Sequence, residues 1–466
     1  MNTPLSWSRR DLLARSATGL GMVGLAGLLA DAGETAPAAI DPAAVRAPHH
    51  TPRATRLVHV FLNGGPSHVD TLDPKPALSR YAGQPLPLAL TTERKTGVAL
   101  PSPFAFARHG ESGLEFSELL ARTARHADRI AVIRSMYAHV PNHEPSLMLM
   151  NCGDSVQPRP SVGSWLLYGL GSENRDLPGF IAMCPGGLPV KGPDNWQAGF
   201  LPGSLQGTAV DSRHAPVEKL IENIRSPHAD AAMQRRQLDL LRGLEASHRI
   251  SDPRLEARLA SFELAFRMQT AAAEAFDLAG ETRETRELYG DTVHGRQLLV
   301  ARRLVERGVR TVQVWHGAGQ PWDNHEQIGP NLRRLCGELD GPLAAFLTDL
   351  CRRGLLDETL VLVGGEFGRT PSVELGGDGA AKAGRDHNHY GFSVFLAGGG
   401  IRGGTVHGAT DDFGFRAAVD PVSVHDLHAT ILHLMGLDHK RLTYRYAGRD
   451  FRLTDVHGRV LDTIVA

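Results

Sequence analysis

Four polar segments, each rich in His, Asp, Glu or Arg, hold residues able to do chemistry in this chain. Gly64-Gly65-Pro66-Ser67-His68-Val69-Asp70 follows a short apolar run, and His316 with Trp322-Asp323-Asn324-His325 follows a second. Gly365-Glu366-Phe367-Gly368-Arg369-Thr370-Pro371 follows a third, and Gly384-Arg385-Asp386-His387-Asn388-His389 comes farther on. Neutral imidazole nitrogens and carboxylate oxygens gathered from separate loops are the donors that zinc, manganese or iron accept. Asp323, His325, Glu366 and His387 are therefore the preferred ligands of a divalent metal, zinc or manganese, with Asp70, Asp386 and His389 as weaker candidates. The spacing of Asp323 and His325 turns both side chains one way if the segment is extended. His389 suits a hydrogen bond to a ligand better than contact with the ion. Arg369 and Arg385 follow glycine or carboxylate turns, where a guanidinium can fork onto an oxyanion or serve as an internal ion-pair partner.

Such residues need a frame that gathers them. Arg56 to Asn63, Arg129 to Arg134, Phe180 to Met183, Val309 to Trp315, Thr359 to Val363 and Phe392 to Leu396 are runs of strand-forming residues. Gln297 to Arg307, Asn331 to Arg353 and His425 to Met435 carry apolar residues at helical spacing, closed by Gly308, Gly354 and Gly436. Strands alternating with helical crossovers predict an α/β fold, a large mostly parallel sheet flanked by helices. Ligands of such sheets sit beyond the carboxyl ends of the strands, where the four polar segments fall. The charged span from Ala215 to Tyr289 reads as a helical insertion or cap, about residues 215–290.

The chain has 466 residues, 42% hydrophobic and 22% charged, and 50 basic side chains against 51 acidic ones leave a formal charge of -1. No global positive potential favours nucleic acid or an anionic membrane. Cys152, Cys184, Cys336 and Cys351 are too few and too scattered for a disulfide scaffold or a cysteine metal site. Ser8-Arg9-Arg10-Asp11-Leu12-Leu13 precedes the apolar stretch Ala17 to Ala30, and Ala30-Asp31-Ala32 or Ala36-Pro37-Ala38 offers small residues for cleavage. This pattern reads as a twin-arginine signal over residues 1–32, then a flexible leader over 33–55 and one α/β domain over 56–466. The apolar stretch is shorter than the ~20 residues a membrane helix needs. A periplasmic or secreted protein is expected, a client of the twin-arginine export machinery without a permanent membrane anchor.

Taken together, Gly64 to Asp70 with Asp73-Pro74-Lys75-Pro76, Trp322 to His325, Glu366 to Pro371, Gly384 to His387 and the terminal Tyr444-Arg445-Tyr446-Ala447-Gly448-Arg449-Asp450 resemble the exported family catalogued as domain of unknown function 1501. That family resembles the alkaline phosphatase and sulfatase superfamily, whose members use one or two metal ions on a large α/β sheet to hydrolyse phosphate or sulfate esters. The resemblance implies an alkaline phosphatase-like fold. It sets Glu366 where the superfamily has a metal-binding Asp, Asp323 and His325 at its Asp and His pair, and His387 at its late ligand histidine. Phe367 replaces one neighbouring ligand, and Asn63 stands where a first-strand Asp is usual, unless Asp70 folds back to replace it.

His143-Glu144-Pro145-Ser146-Leu147, ending at Cys152-Gly153, has the spacing of the sulfatase segment that opens on a Cys or Ser nucleophile. The resemblance therefore makes His143 a candidate catalytic residue, together with Arg369 and Arg385. An imidazole there could bind metal, act as base on a metal-activated water, or form a transient phosphoramidate. The implied function is an exported metal-dependent hydrolase of phosphate or sulfate esters, with a small anionic ester or acidic glycan as partner. The alternative is a non-catalytic secreted module that keeps a metal or anion pocket and recognises acidic glycans.

Overall fold

The computed structural model describes residues 44–466 apart from 90, 215–216, 222–229, 248–252, 377–378 and 380. The signal read over residues 1–32 and the first part of the leader lie outside the described residues. The rest of that leader is tied down, because the backbone N–H groups of Arg46, His49, Arg53 and Ala54 donate to the carbonyls of Leu170, Gly436 and Leu434. Packing thus begins ahead of Arg56.

Apolar strands stack into a nine-stranded sheet. Its order is Thr405–His407, Ile130–Tyr137, Phe392–Ala397, Thr359–Gly364, Arg56–Phe61, Thr311–Trp315, Phe180–Met183 and Thr208–Val210, and Val422–Ser423 also pairs with Ile130–Tyr137. Every pairing is parallel except those of Phe392–Ala397, which is antiparallel to both neighbours. Alternate side chains enter opposite cores, as period-two strands buried on both faces require. Val58 and Val60 pack with Leu298, Leu343 and Phe346 on one face. Leu57 and Phe61 pack with Leu147, Leu166 and Leu427 on the other.

The one reversed strand matters for the site. Phe392 pairs with Met136 near the end of its neighbour, and Phe61 pairs with both Trp315 and Gly364. The segment entering Phe392–Ala397 therefore arrives at the same sheet edge as the loops leaving Phe61, Tyr137, Trp315 and Gly364. Two of the polar segments read as loops are in fact strands: Gly368–Leu375 and Ala381–Asn388 form a separate three-stranded sheet with Thr96–Ala99. Their glycines, proline and charges disguise them, since a strand whose charges are paired inside the protein shows no apolar alternation.

Helices Ala231–Ser247, Pro253–Phe276 and Arg283–Tyr289 occupy the span read as an insertion. A buried ion network ties Glu281, between the last two of these helices, and Tyr289, at the end of the last, to the sheet-covering helices Val293–Glu306 and Ile328–Arg352. Arg302 meets Glu281 at 2.6 Å and Asp349 at 3.0 Å, Arg303 also pairs with Glu281, and the Tyr289 hydroxyl donates to Asp349 at 3.1 Å. All four thiols are free, with Cys336 and Cys351 both on the helix Ile328–Arg352. Among the described residues no helix is long and apolar enough to cross a membrane.

Burial alone would raise the Glu281 carboxyl, but Arg302 and Arg303 bond its charged form and hold it below its ordinary value of 4.5. A depressed folded value contributes stability that is present above the unfolded value and lost as pH falls through the folded one. Glu281→Gln is therefore expected to cost about 2 kcal/mol in urea unfolding at neutral pH. The gap from wild type should shrink below about pH 4.5. A gap that stays constant into strong acid would contradict the assignment.

Candidate metal centre

The loop after Thr311–Trp315 delivers Asp323, and one of its oxygens is a meeting point. Arg369 Nη2 donates to Asp323 Oδ1 at 2.6 Å. His325 Nε2, His387 Nε2 and His143 Nε2 lie 2.8, 3.1 and 3.4 Å from that same oxygen. Each ring is held from behind by its own carboxylate. His143 Nδ1 is 2.8 Å from Glu366 Oε1, His387 Nδ1 is 2.8 Å from Glu93 Oε2, and His325 Nδ1 bonds to Glu374. A carboxylate at Nδ1 keeps the proton on that side and aims the other nitrogen. All three Nε2 atoms point at Asp323.

Local geometry explains the convergence. Gly64 has φ +116°, and a Cβ there would stand 2.5 Å from the Asp323 nitrogen, so only glycine lets the first loop pass beneath Asp323. Its N–H donates to Glu366 Oε1 at 2.9 Å. Arg369 and His387 are direct cross-strand partners in the small sheet, which is why both reach one carboxylate. His143 opens the helix His143–Cys152, and the Asn142 amide ahead of it donates to Glu93 at 3.1 Å. The buried Phe367 ring lies 4.9 Å from His143 and 4.6 Å from His387, giving both an apolar floor.

Charge follows from this crowding. Burial disfavours a proton on His143, yet its contacts with Asp323 and Glu366 win and raise it to about 9. Burial likewise opposes charge on Asp323, but the three imidazoles and Arg369 hold its carboxyl well below the usual range. His387 is pushed down to about 3 by burial, Arg369 and His143, against its bond to Asp323. His387 therefore stays a neutral nitrogen donor beside the charged His143 and Arg369.

The arrangement fits a divalent cation. Ligand atoms of His143, Asp323 and His387 lie within 4.8 Å of one another. Donors of a tetrahedral ion with bonds of ~2.1 Å stand ~3.4 Å apart. His143 Nε2, His325 Nε2 and Glu366 Oε2 are buried without a hydrogen-bond partner. Such atoms are costly to leave idle, and nitrogen and carboxylate donors together suit ions of the zinc or manganese type.

Of the residues expected from sequence, His143, Asp323, His325, Glu366, Arg369 and His387 meet here. Glu366 reaches the cluster through His143 and Gly64. Asp386 lies beside it, within ligand spacing of His325 and Glu374, and accepts the Arg94 N–H at 2.7 Å. Asp70 and Arg385 are elsewhere, since the guanidinium forks onto Asp70 at 2.8 and 3.1 Å and also donates to Thr370 and Leu100 carbonyls. Arg385 is thus the internal ion-pair partner, not an arm free for an oxyanion. Asp70 does not fold back to replace Asn63, whose amide donates to the carbonyls of Gly317 and Gly319. His389 packs on the Tyr390 ring, and among the described residues it belongs to no ligand-spaced group. Glu93 and Glu374 escaped the sequence reading. The alternation of Thr370, Ser372 and Glu374 was a usable signal for the second, but no motif marks the first.

Residues 54–465 match the model of a family described as protein of unknown function (DUF1501), and the chain belongs to that family. The search of curated proteins finds no match. Among solved structures, the chain is similar to the PsFucS1 sulfatase from Pseudoalteromonas sp., with 12% identity over 83% of this chain and 68% of that one, at TM-score 0.34. The alkaline phosphatase of the Antarctic bacterium TAB5 shares 12% identity over 83% of this chain and 99% of its own, also at 0.34. The lipoteichoic acid synthase LtaP from Listeria monocytogenes shares 10% over 88% and 78%, again at 0.34. Likeness at this level leaves function to be argued from the side chains.

Removing one member of the fully buried Asp70–Arg385 pair strands a charge in the interior. Asp70→Asn is expected to cost about 3–5 kcal/mol in chemical unfolding, and Asp70→Leu combined with Arg385→Met to recover most of it. A single-variant loss under about 1 kcal/mol would show the pair to be dispensable.

Proposed function

We propose that this protein is an exported, metal-dependent hydrolase of phosphate or sulfate esters, acting on a small anionic ester or an acidic glycan. One observation carries the reading: three imidazole Nε2 atoms, each backed by its own carboxylate, converge on one oxygen of Asp323. His143, Asp323 and His387 would hold the ion, zinc or manganese, with His325 beside them. Such an ion supplies positive charge that draws in an oxyanion and stabilises charge developing on it.

The chain's own groups set the conditions. Asp323, Glu366, Glu93, Glu374 and Asp386 surround the cluster against Arg369, Arg94 and Lys382. This surplus of carboxylates attracts a cation and repels an ester until a cation is bound. Arg369 fixes the Asp323 carboxylate, while Glu366, Glu93 and Glu374 fix the rings. His143 stands where the resembling superfamily carries its nucleophile. An imidazole that held the ion would not be free to attack, which would leave solvent as the nucleophile.

The rival reading, a secreted module that binds without turnover, has one observation in its favour. Both arginines expected to grip an oxyanion, Arg369 and Arg385, are fully buried and bonded within the protein.

The test is metal analysis of the purified protein, followed by aryl phosphate and aryl sulfate hydrolysis with and without chelator. Hydrolysis that chelation abolishes is expected, and Glu366→Gln should weaken metal binding ~10–100-fold by releasing the His143 ring. Full metal content with no hydrolysis of either ester would favour the binding module. Asp323→Ala with undiminished metal would remove the basis of the metal-dependent reading.

A further inference from the structure

We propose a second divalent-cation site, separate from the Asp323 cluster, formed by His294, His316 and Glu338. One ligand atom from each lies within 4.8 Å of the others. His316 directly follows the strand Thr311–Trp315 and is 4% exposed, and neither of its ring nitrogens has a hydrogen-bond partner. An imidazole in the interior with both nitrogens idle needs a partner to repay its desolvation.

The state of His294 follows from its neighbour. Gln297 Nε2 donates to the Met183 carbonyl at 2.9 Å and the Trp315 carbonyl at 3.0 Å. Its Oε1 is therefore an acceptor, and His294 Nδ1, 3.0 Å away, must carry the proton. The lone pair of His294 is left on Nε2, oriented by an amide as a ligand histidine is oriented by its supporting group. Glu338 comes from the long helix Ile328–Arg352, half-buried, and accepts from Arg334 at 3.1 Å.

The two rings stack, with centroids 4.0 Å apart and planes at 5°, so their lone pairs do not yet converge. To hold an ion with His294 and Glu338, the His316 ring must turn about its Cβ–Cγ bond out of this stack. Because neither nitrogen is bonded, that turn breaks no hydrogen bond. Two imidazole nitrogens and one carboxylate oxygen make the three-ligand donor set that zinc accepts, with solvent as the fourth ligand. Trp322 packs 5.2 Å from His316 and immediately precedes Asp323. An ion here pins the root of the loop that carries Asp323 and His325 to the helices Val293–Glu306 and Ile328–Arg352.

The experiment is equilibrium dialysis of the full chain against zinc, with metal analysis and the visible absorption of the cobalt-loaded protein. Glu338→Gln is expected to bind one zinc equivalent fewer than wild type, or to bind that equivalent at least about tenfold more weakly. His316→Phe, which keeps a ring in the same space, should lose the same equivalent, whereas Asp323→Ala should retain it. If Glu338→Gln binds as much zinc as wild type at equal affinity, the second site does not exist, whatever becomes of the Asp323 cluster. If only Asp323→Ala loses zinc, the first site stands alone.

Discussion

A single ionised carboxylate oxygen, Asp323 Oδ1, must answer one guanidinium and three imidazoles in a largely dry setting. Much of the surrounding structure is a consequence of that demand. His387 is held neutral by burial and by its cationic neighbours, and a neutral imidazole nitrogen facing a carboxylate oxygen is stabilised by a cation between them. The carboxylates behind the rings, Glu366, Glu93 and Glu374, keep each Nδ1 protonated and each Nε2 inward. Metal-ligating histidines are supported in this way, and a purely structural polar cluster has no need of three such supports.

The fold supplies these groups from distant parts of the chain without long excursions. Parallel strands bring His143, Asp323 and Glu366 to one edge, and the single antiparallel strand turns the approach of His387 to the same edge. The small sheet then sets Arg369 opposite His387. Keeping Arg369 and Arg385 wholly inside the protein is expensive unless each proton finds an acceptor. Arg369 meets this with the carbonyls of Gly64, Gly65 and Arg385 and the Asp323 carboxylate, and Arg385 with the carbonyls of Thr370 and Leu100 and the Asp70 carboxylate. Those loops are thereby held to one another, which is the rigidity a preorganised cation site needs.

How much of this could be read from residues alone varied with the physics. Strands such as Phe180–Met183 and Thr359–Gly364 announce themselves, because apolar runs between turn residues have few other uses. Asp323 and His325 were legible through their spacing, and they do meet, although the segment is an irregular loop rather than an extended one. His143 was reached only through resemblance to a family, since nothing in His143-Glu144-Pro145-Ser146 marks a ligand. Sequence does not choose between oxyanion and ion pair for Arg369 and Arg385, because pairing across 46 or 315 positions is invisible in one dimension. Glu93 lies in a loop without a motif, and only tertiary contact with His387 gives it a role.

The central claim is that the Asp323 cluster is a cation site and not a network satisfied by its own hydrogen bonds. Anomalous diffraction from crystals grown with zinc or manganese tests this most directly. The account predicts a strong anomalous peak within coordination distance, ~2.0–2.2 Å, of Asp323 and of the His143 and His387 Nε2 atoms. A saturating soak that leaves no peak there, with the three rings still turned toward Asp323, would contradict it.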